Sequence, residues 1–324
     1  MDRTATAAAH PNIAFIKYWG NRDDALRLPA NGSISMNLGA LYTKTTVTWK
    51  GGLPGSDTLT VNDMPVTGPA LERVTRFLQE IQVRDPSVGS AEIISENNFP
   101  IGAGIASSAS AFAALALAAS TAAGLALEEK ECSRLARLGS GSACRSIPDG
   151  FCEWQTGGTE TDSYAVSIAP ASHWALTDLI AVVSGSHKKV GSTAGHHMAL
   201  TSPFQEIRVR TAQERVKCCR EAILNRDFDA LAEVSEQDMT MMHAVMMTQN
   251  PPLFYWEEAT IGLIKQVKAW REEGLNCFAT VDAGPNVHVI CTADAAAEVR
   301  KRMEKIGGIR EIMESGPGGK AELL

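Results

Sequence analysis

Five stretches of the sequence carry side chains in patterns that could do chemistry. Asp282 ends an apolar stretch and precedes Ala283-Gly284-Pro285-Asn286. An acid there either builds the turn or is presented into a cleft as a base. Arg145 lies in Ser140-Gly141-Ser142-Ala143-Cys144-Arg145-Ser146. Its guanidinium, with the nearby hydroxyls, can grip a carboxylate or phosphate as a fork; the other reading is a surface arginine in a flexible loop. Asn98 to Leu127 passes from Pro100 through Gly102, Gly104, Ser107 and Ser108 into a long Ala/Leu run. Glycines allow close approach to the main chain, and the serines can cap the helix that follows. Unpaired N–H groups and the macrodipole make such a helix start an anion site, suited to nucleotide phosphates. The alternative is a tight turn before a core helix. No G-K-[ST] follows the glycines, so the stretch is not a Walker A loop. Lys17 and Tyr18 flank an apolar strand, where a snorkelling lysine is the plain reading. Lys188 and Lys189 sit in a polar loop, either meeting phosphates or simply solvated.

Elements must hold these groups in place. Residues 3 to 19 read as a strand entering a core, Gly20 to Asp24 and Pro29 to Ser33 as turns, and Ile34 to Leu38 and Thr43 to Trp49 as β. Thr58 to Val61 with Asn62-Asp63 reads as a hairpin. Helical spacing predicts helices over 69–83, 128–138, 202–224, 228–247, 259–273 and 293–306. Strands are expected at 91–95, 150–154, 179–184, 276–282 and 287–291. Strands and helices are segregated in each half, which favours α+β over a doubly wound parallel sheet. The Met239 to Met247 stretch reads as core packing, and the adjacent His196-His197 gives little support to a metal site.

At 324 residues the chain is long for one core. We expect two domains, 1–180 and 181–324, divided near the apolar strand at 179. A net charge of −7 gives no nucleic-acid footprint. The N-terminus has no apolar core of a secretory signal, and the Ala-rich run lacks the flanks of a membrane span. Seven cysteines without zinc-ligand spacing read as free thiols in a reducing cytoplasm.

Together these residues resemble a known family. Pro100 to Ala109 is similar to the phosphate loop of the GHMP kinase superfamily. Asn12-Ile13-Ala14-Phe15-Ile16-Lys17-Tyr18-Trp19-Gly20, Pro29 to Ser35, Gly139 to Ser146 and Asp282 to Asn286 occur in the order seen in mevalonate diphosphate decarboxylases. The resemblance implies an N-terminal, ATP-binding domain like ribosomal protein S5 domain 2 and a C-terminal ferredoxin-like GHMP domain, with the site between them. It implies that Asp282 is the catalytic aspartate facing the C3 hydroxyl and that Arg145 holds the C1 carboxylate, with Ser140 and Ser142 nearby. Asn12 and Lys17 fall close to the reacting groups, Tyr18, Asn21 and Ser192 near the substrate's phosphate end. Gly102, Gly104, Ser107, Ser108 and Lys188 fall around the nucleotide phosphates. ATP and Mg2+ are the implied cofactors, a phosphorylated mevalonate the substrate, and a homodimer the implied assembly; the metal ligands stay unassigned.

The sequence departs from the family at the phosphate end. Asn21 replaces a lysine that meets the terminal phosphate of the diphosphate, and Ser192-Thr193-Ala194-Gly195 offers no cation where some relatives carry arginine. Charge-assisted hydrogen bonds contribute about 1.5–3 kcal/mol each. The expectation drawn from this loss is the mevalonate 5-phosphate decarboxylase branch, with isopentenyl phosphate as product. The alternatives are the diphosphate reaction, with a nearby cation such as Arg22 compensating, and a 3-hydroxy kinase that stops before decarboxylation.

Overall fold

The computed structural model describes residues 2–51, 55–100, 107–183 and 192–324, with backbone alone for 192–194. A six-stranded sheet runs in the order Glu322–Leu323, Arg3–Ala9, Thr43–Gly51, Val88–Asn97, Thr58–Val61, Met64–Val66. A four-stranded sheet follows the order Ala165–Ala169, Phe151–Trp154, Ser33–Asn37, Asn12–Ile16. A second four-stranded sheet follows Cys277–Thr280, Val287–Thr292, Leu176–Val182, Glu311–Ser315. Pairing is antiparallel except between Thr58–Val61 and Val88–Asn97. The α+β expectation holds.

The Ala-rich run forms the helix Ser107–Ala122. It is apolar around most of its circumference because sheet, helices and turn surround it. Ala113, Ala116 and Ala119 join Val47, Trp49, Phe77 and Leu78 in one core. Small side chains let the sheet approach closely, so that Trp49 donates Nε1–H to the Ala119 carbonyl at 2.9 Å. A second core joins Ile13, Phe15 and Met36 to the helices Gln205–Asn225 and Phe228–Thr248 through Val216, Ile223 and Leu231. A third packs Leu263 and Val267 of the helix Glu258–Glu272 on Ala279, Val287 and Val289.

The single strand expected over 3–19 is two strands in two different sheets, broken at His10-Pro11. Pro11 has no N–H to continue a ladder, and its carbonyl accepts instead from Leu38 N at 2.9 Å. The Asn62-Asp63 hairpin is present, both residues at positive φ as a type I′ turn requires. The strands Ala165–Ala169, Glu311–Ser315 and Glu322–Leu323 escaped the sequence reading. The last of these returns the C-terminus to the first sheet, pairing Leu323 with Ala7. Among the described residues no helix is long and apolar enough to cross a membrane, and all seven cysteines are unpaired.

Candidate active site

The strand Asn12–Ile16 is buried throughout and delivers Lys17 directly to the site. The Lys17 backbone is clamped on both sides. Its N–H donates to Asp238 Oδ2 at 2.7 Å, and its carbonyl accepts from Arg208 Nη2 at 2.7 Å and Asn31 Nδ2 at 2.9 Å. Asp238 is in turn held by Arg215 Nε at 2.8 Å. This buried network of charges holds the Lys17 backbone from both sides, although Arg208 Nε is itself buried without a partner among the described residues. The Lys17 ammonium then meets Asp282 Oδ1 at 2.6 Å, with side-chain exposures of 1% and 25%. Asp282 follows the strand Cys277–Thr280. The preceding Val281 carbonyl lies 3.2 Å from His243 Nε2. Burial works to raise the Asp282 pKa, but Lys17, His288 and Arg145 together outweigh it and hold the carboxyl below its usual range. Asp282 is therefore an ionised, partly open carboxylate on a rigid mount.

Arg145 lies in the 3-10 turn Gly141–Ser146 and is buried. It donates Nε–H to Ser35 Oγ at 2.9 Å, Nη1–H to Ser33 Oγ at 2.5 Å and Nη2–H to Asn12 Oδ1 at 3.2 Å. All three acceptors are neutral, and among the described residues no carboxylate lies within 4 Å of the guanidinium. Burial lowers its pKa, while the Asp282 charge works the other way. Asn12 is held by donation to Ser146 Oγ at 2.8 Å and to the Ser142 carbonyl at 3.2 Å. A buried cation lacking a counterion is costly. A bound carboxylate would relieve that cost, and the serines already orient the fork.

Tyr18 leaves the same strand end. Its hydroxyl donates to Asn21 Oδ1, and its ring stacks on His196 at 4.1 Å between centroids. Gly141 is required under that ring, since a Cβ there would lie 2.5 Å from Tyr18 Cε1. His196 accepts the Gly20 N–H at Nδ1, 2.9 Å away, while His197 Nδ1 sits 2.7 Å from Asp24. The two histidines thus serve separate contacts. Ser107 and Ser108 open the Ala-rich helix, and Ser108 Oγ lies 3.1 Å from Ser140 Oγ. This joins the expected phosphate loop to the Arg145 turn. Gly102, Gly104, Lys188 and Lys189 lie outside the described residues, as does the Ser192 side chain; Ser192 begins the helix Ser192–Met198.

The N-terminal half, residues 9–165, matches the family profile of the diphosphomevalonate decarboxylase-like N-terminal domain. Residues 178–319 match the mevalonate 5-diphosphate decarboxylase C-terminal domain. The chain belongs to the diphosphomevalonate decarboxylase family. The diphosphomevalonate decarboxylase of Aspergillus fumigatus is 39% identical over 311 residues, covering 88% of this chain and 76% of that one. The mevalonate diphosphate decarboxylase structure from Staphylococcus aureus superposes with a TM-score of 0.94 at 36% identity, covering 100% and 98% of the two chains. A complex described as MDDEF with MVAPP, AMPPCP and magnesium gives 0.94 at 34% identity over 100% and 99%. The GHMP kinase fold and an ATP-dependent decarboxylase are thereby established. The comparisons favour the diphosphate alternative and give no support to the monophosphate branch inferred from Asn21 and the 192–195 segment.

Within this diphosphomevalonate decarboxylase fold, several contributors escaped the sequence reading. Ser33 and Ser35 clamp Arg145 from the strand Ser33–Asn37; the sequence places Ser33 in a turn and Ser35 in a β stretch, and neither pattern says what they face. Asp238, Arg208 and Arg215 fix Lys17 from long helices, and charged residues at core positions of those helices were the only signal. Arg22, the cation expected to compensate, is exposed and donates Nη2–H to the Thr156 carbonyl at 2.9 Å.

Proposed function

We propose that this chain converts (R)-mevalonate 5-diphosphate and ATP to isopentenyl diphosphate, ADP, phosphate and CO2, in the mevalonate route to isoprenoids. The observation that carries the reading is the pair of opposed charges. Asp282 is ionised against Lys17, and Arg145, within reach of its field, has a serine-oriented fork and no carboxylate partner. Arg145 grips the substrate's C1 carboxylate, which places the C3 hydroxyl at Asp282. The phosphoryl group passes to the C3 oxygen as Asp282 takes the hydroxyl proton. Phosphate then leaves C3, the C1–C2 electrons form the C2–C3 double bond, and CO2 departs. A carboxylate held below its usual pKa is a weak base. Its larger contribution is to orient the hydroxyl and stabilise positive charge developing at C3. Phosphoryl transfer tolerates such a base, because positioning and electrostatics dominate it.

ATP and Mg2+ are the cofactors of this proposal, as in the complex with AMPPCP and magnesium. The helix Ser107–Ala122 begins at the two serines, a helix start suits an anion, and Ser107 and Ser108 would hold the phosphate oxygens. No group of three or more His, Cys, Asp or Glu among the described residues could hold a metal ion. A divalent ion bound with the nucleotide would supply charge neutralisation at the transferring phosphoryl group. The division at residues 1–180 and 181–324, a cytoplasmic site of action and a homodimer complete the proposal.

A second reading keeps mevalonate 5-phosphate as substrate. Asn21 favours it: the side chain at this position is neutral and already bonded to Tyr18 and to Asp24 Oδ1, 2.8 Å away. Steady-state kinetics with both phosphorylated mevalonates separates the two. A higher kcat/KM for the diphosphate supports the main reading; a higher value for the monophosphate replaces it.

A further inference from the structure

Asn21 leaves the phosphate end without its expected lysine, yet a cation stands nearby in the fold. The strand Asn21–Asp23 pairs with Leu28–Pro29, Asn21 opposite Pro29. The hairpin therefore folds Arg27 back beside the segment that carries Asn21. Arg27 sits at φ 49°, a left-handed conformation that glycine or asparagine adopts at less cost. Its Nε donates to the Leu138 carbonyl at 2.9 Å. On the next residue, the Gly139 carbonyl accepts from Arg73 Nε at 3.2 Å and Nη2 at 2.7 Å. One residue further on, Ser140 Oγ meets Ser108 Oγ at 3.1 Å. Three consecutive residues thus bring Arg27, Arg73 and the start of the Ala-rich helix together.

Among the described residues no carboxylate lies within 4 Å of either guanidinium. The hairpin's two acids are engaged elsewhere, Asp24 by Asn21 and His197 and Asp23 by the Leu26 N–H. Helix C-terminal carbonyls attract cations, and that accounts for one donor of Arg27. It leaves the terminal nitrogens of the fork and the neighbouring positive charge of Arg73 without a counterion.

Resting on the proposed function, we propose that Arg27 is a specificity-determining residue that binds the terminal phosphate of the substrate's 5-diphosphate. It restores, from the other strand of the hairpin, the charge that Asn21 omits. Burial pushes the Tyr18 hydroxyl up, and Arg27 is the largest influence opposing it; its charge also reaches the His196 ring. The guanidinium field therefore covers the two rings that line this end.

The test is calorimetric titration of the full chain with inorganic pyrophosphate and, separately, with a non-hydrolysable ATP analogue. Arg27→Gln keeps an amide to bond Leu138 and removes the charge. It is expected to weaken pyrophosphate binding by about 10-fold or more while leaving the ATP analogue within about 2-fold. Adding Asn21→Lys to Arg27→Gln is expected to restore pyrophosphate affinity. Unchanged pyrophosphate affinity in Arg27→Gln overturns the assignment, and a matching loss for the ATP analogue gives the charge to the nucleotide instead. Should the glutamine variant not fold, Arg27→Lys decides, because loss of the fork is expected to weaken binding by about 3-fold; affinity equal to wild type overturns the proposal. With substrates, Arg27→Gln is expected to raise KM for the diphosphate more than for the monophosphate, with kcat nearly kept. An equal change for both overturns the specificity role. If the wild type decarboxylates neither substrate, the proposed function fails, and the pyrophosphate titration still judges Arg27.

Discussion

Lys17 Nζ and Asp282 Oδ1 stand 2.6 Å apart, the ammonium enclosed and the carboxylate open on one side. Such a pair keeps Asp282 charged below the pH at which a free aspartate protonates. The acid limb of kcat/KM due to this group is expected below about pH 4 in the wild type. Lys17→Met removes the largest influence lowering the pKa and leaves burial to raise it. The limb is expected to move to higher pH, with lower activity throughout. A pH–rate profile with its acid limb in the wild-type position would separate the lysine from the aspartate's ionisation.

Arg145 is held by two serines and an asparagine, so its placement rather than its charge alone is the asset. Arg145→Lys keeps the charge and loses the fork. We expect a fall in kcat/KM of about 10²-fold or more, since misplacing a positioning group costs on that scale. Ser35→Ala removes one guide and should cost less, about 10-fold. Kinetics of the two variants under the same conditions check the order; a lysine variant as active as the serine variant would contradict it.

Gly141 is the floor beneath Tyr18. Gly141→Ala puts a methyl group at 2.5 Å from the ring, so either the turn or the tyrosine must move. The expected cost is about 1–3 kcal/mol of stability from overpacking, with KM raised more than kcat is lowered. Thermal unfolding and steady-state kinetics read both, and a variant like wild type in both would show that the turn yields freely.

His196 is buried with Nδ1 accepting a backbone N–H, and burial drives its pKa down to about 3. Burial also takes His243 down to about 4. A group whose neutral form is kept in the fold takes up a proton more readily when unfolded. Between the unfolded value near 6.5 and these folded values, the unfolded chain binds more protons, so stability falls as pH falls. Denaturant midpoints from pH 7 to pH 4 should decline, and His196→Gln should decline less steeply. Equal slopes would remove His196 from the acid sensitivity.

What the sequence disclosed depended on distance along the chain. Asp282 before its Gly-Pro turn, Arg145 in its serine-rich turn and Ser107-Ser108 at a helix start are local patterns, and each lies where the pattern implies. Ser33 and Ser35 were opaque because only the sheet register, which sets Ser35 opposite Cys152 and Ser33 opposite Trp154, turns them toward Arg145. Asp238 reaches Lys17 across 221 positions, a contact without local signature. Arg27 shares a hairpin with Asn21, a proximity that a position-by-position reading of the sequence does not disclose. The tail was silent for another reason. Gly318 N donates to the Asn37 carbonyl and its own carbonyl accepts from Gly150 N, backbone bonds that no side-chain pattern announces.

The central claim is that phosphorylation at C3 leads to loss of the neighbouring carboxylate. The direct measurement is the ratio of CO2 to ADP released from mevalonate 5-diphosphate, in the wild type and in Asp282→Asn. One CO2 per ADP is expected for the wild type. Both products should fall by about 10²-fold or more in Asp282→Asn, which should still bind an ATP analogue. ADP without CO2 in the wild type, or near-normal CO2 in the variant, would contradict the account.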